Sequence, residues 1–246
     1  MGTRERILQA ALECFNEDGY DRTSVARIRD RSGVSNGALF HHFPSKEAIA
    51  EGLYLEAMRA VQQGYWSVLA GQPATVRESM EGIIGNLLSW VQANPHWARF
   101  LYAQGHLDWS TDAGSELQAL NAELNAAYRT WLGTFIADGA ARDLPMAVAV
   151  AVVTGPAHAI ARRWLAGQLP GALTDYAPDL IDAATAGLTG TPSPRREPAR
   201  TPAHAHIRVE LLGDDGTVIS AGTGTATLTP HRAGGSVPAP PLDPPQ

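Results

Sequence analysis

Cysteine is nearly missing from this chain of 246 residues: Cys14 stands alone, so no intrachain disulfide and no multi-cysteine metal site can form. It falls within the first helical pattern, where a lone thiol ordinarily serves as inert packing. Long apolar runs are missing too. No uninterrupted stretch approaches the ~20 residues that a membrane span needs, and residues 1–6 pass straight into an amphipathic pattern without the apolar core of a signal peptide. A cytoplasmic protein with no membrane partner is expected. No Ser/His/Asp arrangement, paired-acid site or phosphate loop stands out, so neither an enzyme nor a bound cofactor is expected. What remains, 44% hydrophobic and 18% charged residues, is the composition of a globular chain.

The formal net charge of −6 argues against a nucleic-acid binder until its distribution is read. Between positions 22 and 46 the chain carries Arg22, Arg27, Arg29, Arg31 and Lys46 against Asp30 alone. Residues 47–189 hold 14 acids and 7 arginines. A basic module on an acidic body suits local phosphate contact, because the field falls off within a Debye length of ~10 Å. A solvated charged helix face would look the same in composition.

Apolar spacing predicts a first helix over 3–18, on Ile7, Leu8, Ala11, Leu12 and Phe15, stopped by Gly19. Thr23 or Ser24 caps a short helix to Arg31, Gly33 ends it, Ser35 caps a third over 36–43, and Pro44 closes that one. Ser45 caps a fourth over 46–69. Further helices are expected at 74–93, 95–105, 114–138, 145–168 and 176–189. Four prolines in 191–205 read as a linker, the alternation in 206–229 as a two-stranded hairpin, and 230–246 as a disordered, proline-rich tail.

A helix-turn-helix needs one helix braced across the phosphates and a second, polar and small-residued, against base edges in the major groove. Residues 35–43 fit the second role. Leu39 and Phe43 point to a core with Val34, whereas Ser35, Asn36, Gly37, Ala38, Phe40, His41 and His42 offer small or hydrogen-bonding groups. Asn36 can bond adenine in bidentate fashion and Ala38 can touch a thymine methyl. Ser24 and Lys46, at helix N-termini, suit phosphate oxygens.

The stretch from Thr23-Ser24-Val25 through Ser32-Gly33-Val34-Ser35-Asn36-Gly37-Ala38-Leu39-Phe40-His41-His42-Phe43-Pro44-Ser45-Lys46-Glu47 resembles the DNA-binding signature of the TetR family of transcriptional regulators. The resemblance implies an all-α homodimer with a three-helix head over 1–46, a fourth helix linking head to body, and a variable small-molecule cavity in a body over 47–190. It makes Ser24, Ser35, Asn36, Gly37, Phe40, His41, His42 and Lys46 the residues expected at double-stranded operator DNA, and Thr23, Arg27 and Ala38 are expected there beside them. Two positions depart from the family pattern: Phe40 stands where tyrosine is common, and Arg29 where alanine allows close helix packing, so its stem must snorkel outward or open the interhelix angle.

Aromatic residues gather in the middle helices, and ligand sites favour such walls with a few polar anchors. Trp90, Trp97, Phe100, Tyr102, Tyr128, Trp131 and Phe135, with His158, are the expected lining of a site for a largely apolar ligand; Trp109, His96 and His106 are further candidates. An aromatic stripe at helical spacing serves equally well as core. Small residues recur in the last two helices, including Gly155 and Gly187, and by the same resemblance Ala159, Arg162, Trp164, Leu165, Leu180, Ala183 and Ala184 are expected at a dimer interface. His204 and His206 share a strand face but make too poor a set for a metal. Two rival functions stay open: a DNA-binding regulator governed by a protein partner through the tail, and a thioesterase-related enzyme, suggested by the Gly222-Thr223-Gly224-Thr225 strand.

Overall fold

The computed structural model describes residues 1–103, 110–190, 203–212 and 218–228. The described residues of 1–190 fold into helices: α1 Thr3–Asp18, α2 Val25–Ser32, α3 Asn36–His42, α4 Lys46–Ala70, α5 Val76–Ala93, α6 Pro95–Ala103, α7 Asp112–Ala137, α8 Met146–Leu165 and α9 Ala177–Thr189, with a 3-10 turn at Leu173–Tyr176 before α9. The caps are those the side chains dictate. Ser24 Oγ accepts from the Arg27 N–H at 3.2 Å, Ser35 from Ala38 at 3.2 Å and Ser45 from Ala48 at 3.1 Å. Gly33 ends α2 at φ 65, a left-handed turn that a residue with a Cβ adopts only with strain.

Several boundaries differ from the sequence reading, with α5 starting at Val76 and α8 ending at Leu165. Gly114, expected to break the chain, lies inside α7, because Thr111 Oγ1 accepts its N–H at 3.1 Å and starts the helix earlier. Pro156 sits within α8.

Two apolar cores organise these helices. The first gathers Ile7, Leu8, Leu12 and Phe15 of α1, Ile28 of α2, Leu39 of α3 and Phe43, and it also takes in Ile49 and Leu53 of α4 and Phe100 of α6. The head therefore does not close at residue 46. The second core runs through α5, α7, α8 and α9, on residues such as Met80, Ile84, Leu88, Leu132, Val153 and Ile181. Helices approach closely where a side chain has been given up. A Cβ on Gly82 would lie 2.6 Å from Val68 of α4, and one on Gly187 would lie 2.6 Å from Val152 of α8.

Residues 192–246 form a separate unit. In it, β1 Ala203–Leu212 and β2 Val218–Leu228 pair antiparallel, with His206 opposite Thr225 and Val209 opposite Gly222, and the register shifts between Leu211 and Leu212. The expected linker lies outside the described residues except at 203–205, and the expected tail over 230–246 lies wholly outside them.

Candidate DNA-binding face and body cavity

The turn chemistry above leaves α3 with its inner residue Leu39 fully buried and Ser35, Asn36, Gly37, Phe40, His41 and His42 exposed in one row, with Ala38 half-buried. Phe40 is 46% exposed, an uncommon place for a large apolar ring. The His41 and His42 rings stand 5.3 Å apart, edge to face. Lys46, the chain's only lysine, is held inside the head: its Nζ donates to the Tyr20 carbonyl at 3.0 Å and lies 4.3 Å from that ring's centre.

Tyr20 was not singled out in the sequence, yet it clamps the α1–α2 loop to the start of α4. Its hydroxyl donates to Glu47 Oε1 at 3.2 Å, and burial with the Glu47 charge pushes its pKa up to about 12. Only the local run Tyr20-Asp21-Arg22 before a cap could have signalled it.

Thr23 is a correction to the expected DNA-facing set. It is 2% exposed, and its hydroxyl donates to the carbonyls of Gly19 at 2.8 Å and Cys14 at 3.2 Å, so it seals the turn from within. The basic module is corrected as well. Arg27 pairs with Asp18 and, at 3.0 Å, with Glu17, while Arg31 pairs with Glu17 at 2.8 Å. Counting from Arg22 leaves out the α1 acids that fold against these arginines. Arg31 hydrogen-bonding holds the Glu17 carboxyl below its ordinary range. Arg29 turns outward onto Asp30 at 2.6 Å, the snorkelling alternative.

Within the body, α4 to α9 line a partly open cavity of about 380 Å³, within the usual span of ligand pockets. Of the aromatic and histidine candidates, Trp90, Tyr102, Tyr128, Trp131 and His158 line it, and Trp97, Phe100 and Phe135 do not. Phe100 instead stacks on Phe15 of α1, with centroids 5.8 Å apart and planes at 14°, and Trp97 packs beside it on the head core. Phe135 leans on Trp131 at 4.8 Å, on a separate outer groove. In each case helical spacing shows that the residue is inward-facing but not which of two neighbouring interiors it faces. His96 is exposed, and its carbonyl accepts from Asn16 Nδ2 at 3.1 Å; His106 and Trp109 lie outside the described residues.

The cavity's polar groups are mostly spoken for. Tyr102 Oη and His158 Nδ1 lie 2.8 Å apart, Tyr128 donates to the Tyr65 carbonyl at 3.1 Å, Trp131 Nε1 donates to the Pro73 carbonyl at 3.2 Å, and Gln62 donates to Asn121 at 2.7 Å. Burial drives the His158 pKa down to about 4, with the Arg162 charge adding to it, so the ring is neutral at neutral pH. Burial likewise raises Tyr102 to about 12 and pushes Tyr65 and Tyr128 further up. Gln62, Asn121 and Asn125 carry anchoring groups that the aromatic pattern did not reveal.

Of the residues expected at a dimer interface, Ala159, Arg162 and Ala183 are exposed, and Leu180 is half-buried. Ala184 is 2% exposed and belongs to the body core. Trp164 and Leu165 pack partly on the same core, with the Trp164 indole donating to the Gly171 carbonyl at 3.0 Å. Small residues at Ala184 and Gly187 therefore serve α9's contacts within one chain. The outer side of α8 carries Val148, 45% exposed, with Ala151, Gly155 and Ala159 at successive turns.

Residues 7–53 match the model of bacterial regulatory proteins of the tetR family. The HTH-type transcriptional repressor Rv1474c of Mycobacterium tuberculosis is 48% identical over 46 residues, which are 19% of this chain and 25% of that protein. The match thus spans about a quarter of the length of such curated relatives. Likeness to solved structures extends through the body. The TetR family transcriptional regulator PfmR of Thermus thermophilus superposes with a TM-score of 0.61 at 25% identity, covering 73% of this chain and 97% of that one. FadR of Bacillus subtilis, solved in complex with stearoyl-CoA, gives a TM-score of 0.56 at 21% identity, covering 74% of this chain and 98% of that one. The head thus carries the DNA-binding motif of the tetR family over residues 7–53, and the helical fold of the described residues is similar to that of solved TetR-family regulators.

Proposed function

We propose that this protein is a homodimeric transcriptional repressor that holds a palindromic operator through α3 and releases it when a largely apolar molecule fills the body cavity. The observation that carries this reading is the exposed row from Ser35 to His42, backed by Leu39 and Phe43 locked in the head core. Asn36, His41 and His42 read bases, Gly37 and Ala38 permit close approach, and Phe40 packs on sugars or methyl groups. Ser24 and Lys46 offer phosphate contacts mainly through main-chain N–H groups, since their side chains already serve the head. Arg27 would exchange its acidic partners for phosphate.

Two helices tie the cavity to that row. Gln62 and Tyr65 of α4 face the ligand space, while the same helix begins at Lys46 in the head. Ala98 and Tyr102 of α6 line the cavity, while Phe100 between them stacks on Phe15 of α1. A ligand that displaces either helix moves the head, and in a dimer this changes the spacing of the two recognition helices. The acyl chain of the stearoyl-CoA bound to FadR supports an apolar body for the ligand, the CoA part of that molecule being charged, and the exposed small residues of α8 support self-association there. Selection from random duplexes tests the reading. Enrichment of an inverted repeat is expected, and enrichment of no sequence would overturn it.

A further inference from the structure

Among the described residues the cavity wall contains no lysine, arginine, aspartate or glutamate, and the one histidine there is a half-buried ring whose Nδ1 is bonded to Tyr102; Arg162, whose charge reaches His158, is exposed and sits over the Tyr102 ring at 5.0 Å, outside the wall. A charged ligand enclosed there would lose its hydration without gaining a counter-charge. The wall is not featureless, however. Tyr65 Oη has no partner among the described residues, although burial holds it firmly in its protonated form. The Tyr102–His158 pair carries one more proton than its own bond uses. If Tyr102 donates to Nδ1, the ring's Nε2–H is spare; in the other tautomer the Tyr102 O–H is spare. Gln62, 4% exposed, spends one amide hydrogen on Asn121 and leaves others on that pair unused. Spare donors therefore stand on α4, α6 or α8, and α7, around an otherwise apolar space.

We propose, on the ligand-released reading above, that the molecule this cavity takes is uncharged and mostly apolar and carries a carbonyl or hydroxyl oxygen, held by Tyr65 and the Tyr102–His158 pair. Leaving such donors unpaired in a filled, water-free cavity is costly, so a bare hydrocarbon binds less well than a ketone of the same shape. An amine of that shape finds no counter-charge among the described wall residues, and an acid finds only the exposed, solvent-screened Arg162 behind Tyr102. Because Tyr65 lies on α4, the oxygen it holds acts directly on the helix that enters the head.

The test titrates the full chain calorimetrically with 2-acetonaphthone and 2-undecanone, and with their ionic or unfunctionalised counterparts 2-naphthoate, 1-(2-naphthyl)ethylamine, decanoate and naphthalene. At least one ketone is expected to bind, with its ions more than tenfold weaker. Tyr65→Phe should weaken that ketone about two- to tenfold, whereas naphthalene affinity, which reports an intact cavity, stays unchanged. The naphthalene control separates a lost hydrogen bond from a misfolded variant. Failure of both ketones to bind, ions within tenfold of the ketone, or ketone affinity unchanged from the unmodified chain in both Tyr65→Phe and Tyr102→Phe would each overturn the proposal. No DNA enters these measurements, so a failed operator selection with this binding order intact removes only the regulator reading.

Discussion

Acidification should loosen the body of this protein through one side chain. His158 is neutral in the fold, its pKa lowered from 6.5 to about 4 by burial against the cavity wall. A group whose folded pKa lies below its unfolded value favours the fold while neutral. Its contribution is complete above pH 6.5 and is lost as pH falls toward 4, because the unfolded chain takes up the proton first. At about 1.4 kcal/mol per pH unit the full window is worth ~3 kcal/mol, and about 2 kcal/mol of it is lost between pH 7.5 and 5. Urea denaturation at fixed protein concentration reads this directly, since the proposed dimerisation would make midpoints concentration-dependent. With a slope of ~2 kcal/mol per molar urea, the midpoint should fall about 1 M between those pH values. His158→Asn keeps a polar atom near the Nδ1 position that meets Tyr102 but cannot titrate, so its midpoint should fall by much less. Carboxylates elsewhere, Glu17 and Glu47 among them, have lowered pKa values and lose stability in acid too, which makes the difference between the proteins the informative quantity. Identical midpoint shifts in both would refute the reasoning.

Thr23→Val should cost about 1–3 kcal/mol in chemical denaturation, because a buried hydroxyl with two carbonyl partners is lost; operator specificity of the folded variant should be unchanged. Asn36→Ala should weaken the selected operator by about 1–3 kcal/mol and relax the sequence preference in binding assays, since it removes the base contact proposed for Asn36. Gly82→Val should lower the melting temperature by several degrees through overpacking against Val68, worth about 1–3 kcal/mol. Ala159→Glu should yield monomers in sedimentation with helicity intact, because Ala159 is exposed on a single chain, whereas Trp164→Glu should also lower helicity, because that ring packs on the body core.

Local rules made the head legible. Caps at Ser24, Ser35 and Ser45 and the left-handed Gly33 are decided within a few residues, and the apolar spacing of α1 and α3 names their buried sides correctly. What stayed hidden depends on contacts between distant residues. Phe100 and Trp97 carry the same inward signal as Trp90, but only the docking of α6 on α1 sends them to the head core. Small residues on α9 signalled close approach correctly, yet Gly187 answers to Val152 of its own chain. The positive patch read along residues 22–46 weakens once Glu17 and Asp18, just upstream, fold against Arg27 and Arg31. Gln62 went unmarked because an amide on a long amphipathic helix looks like surface; only the facing Asn121 makes its burial tolerable.

The coupling between cavity and operator is tested most directly by measuring affinity for the selected operator with and without a saturating amount of whichever ketone probe binds. The account predicts an operator weakened by about five- to 150-fold, with the ketone weakened by the same factor when operator is bound, since coupling free energies are reciprocal. Identical operator affinities in the presence and absence of the bound ketone would contradict it.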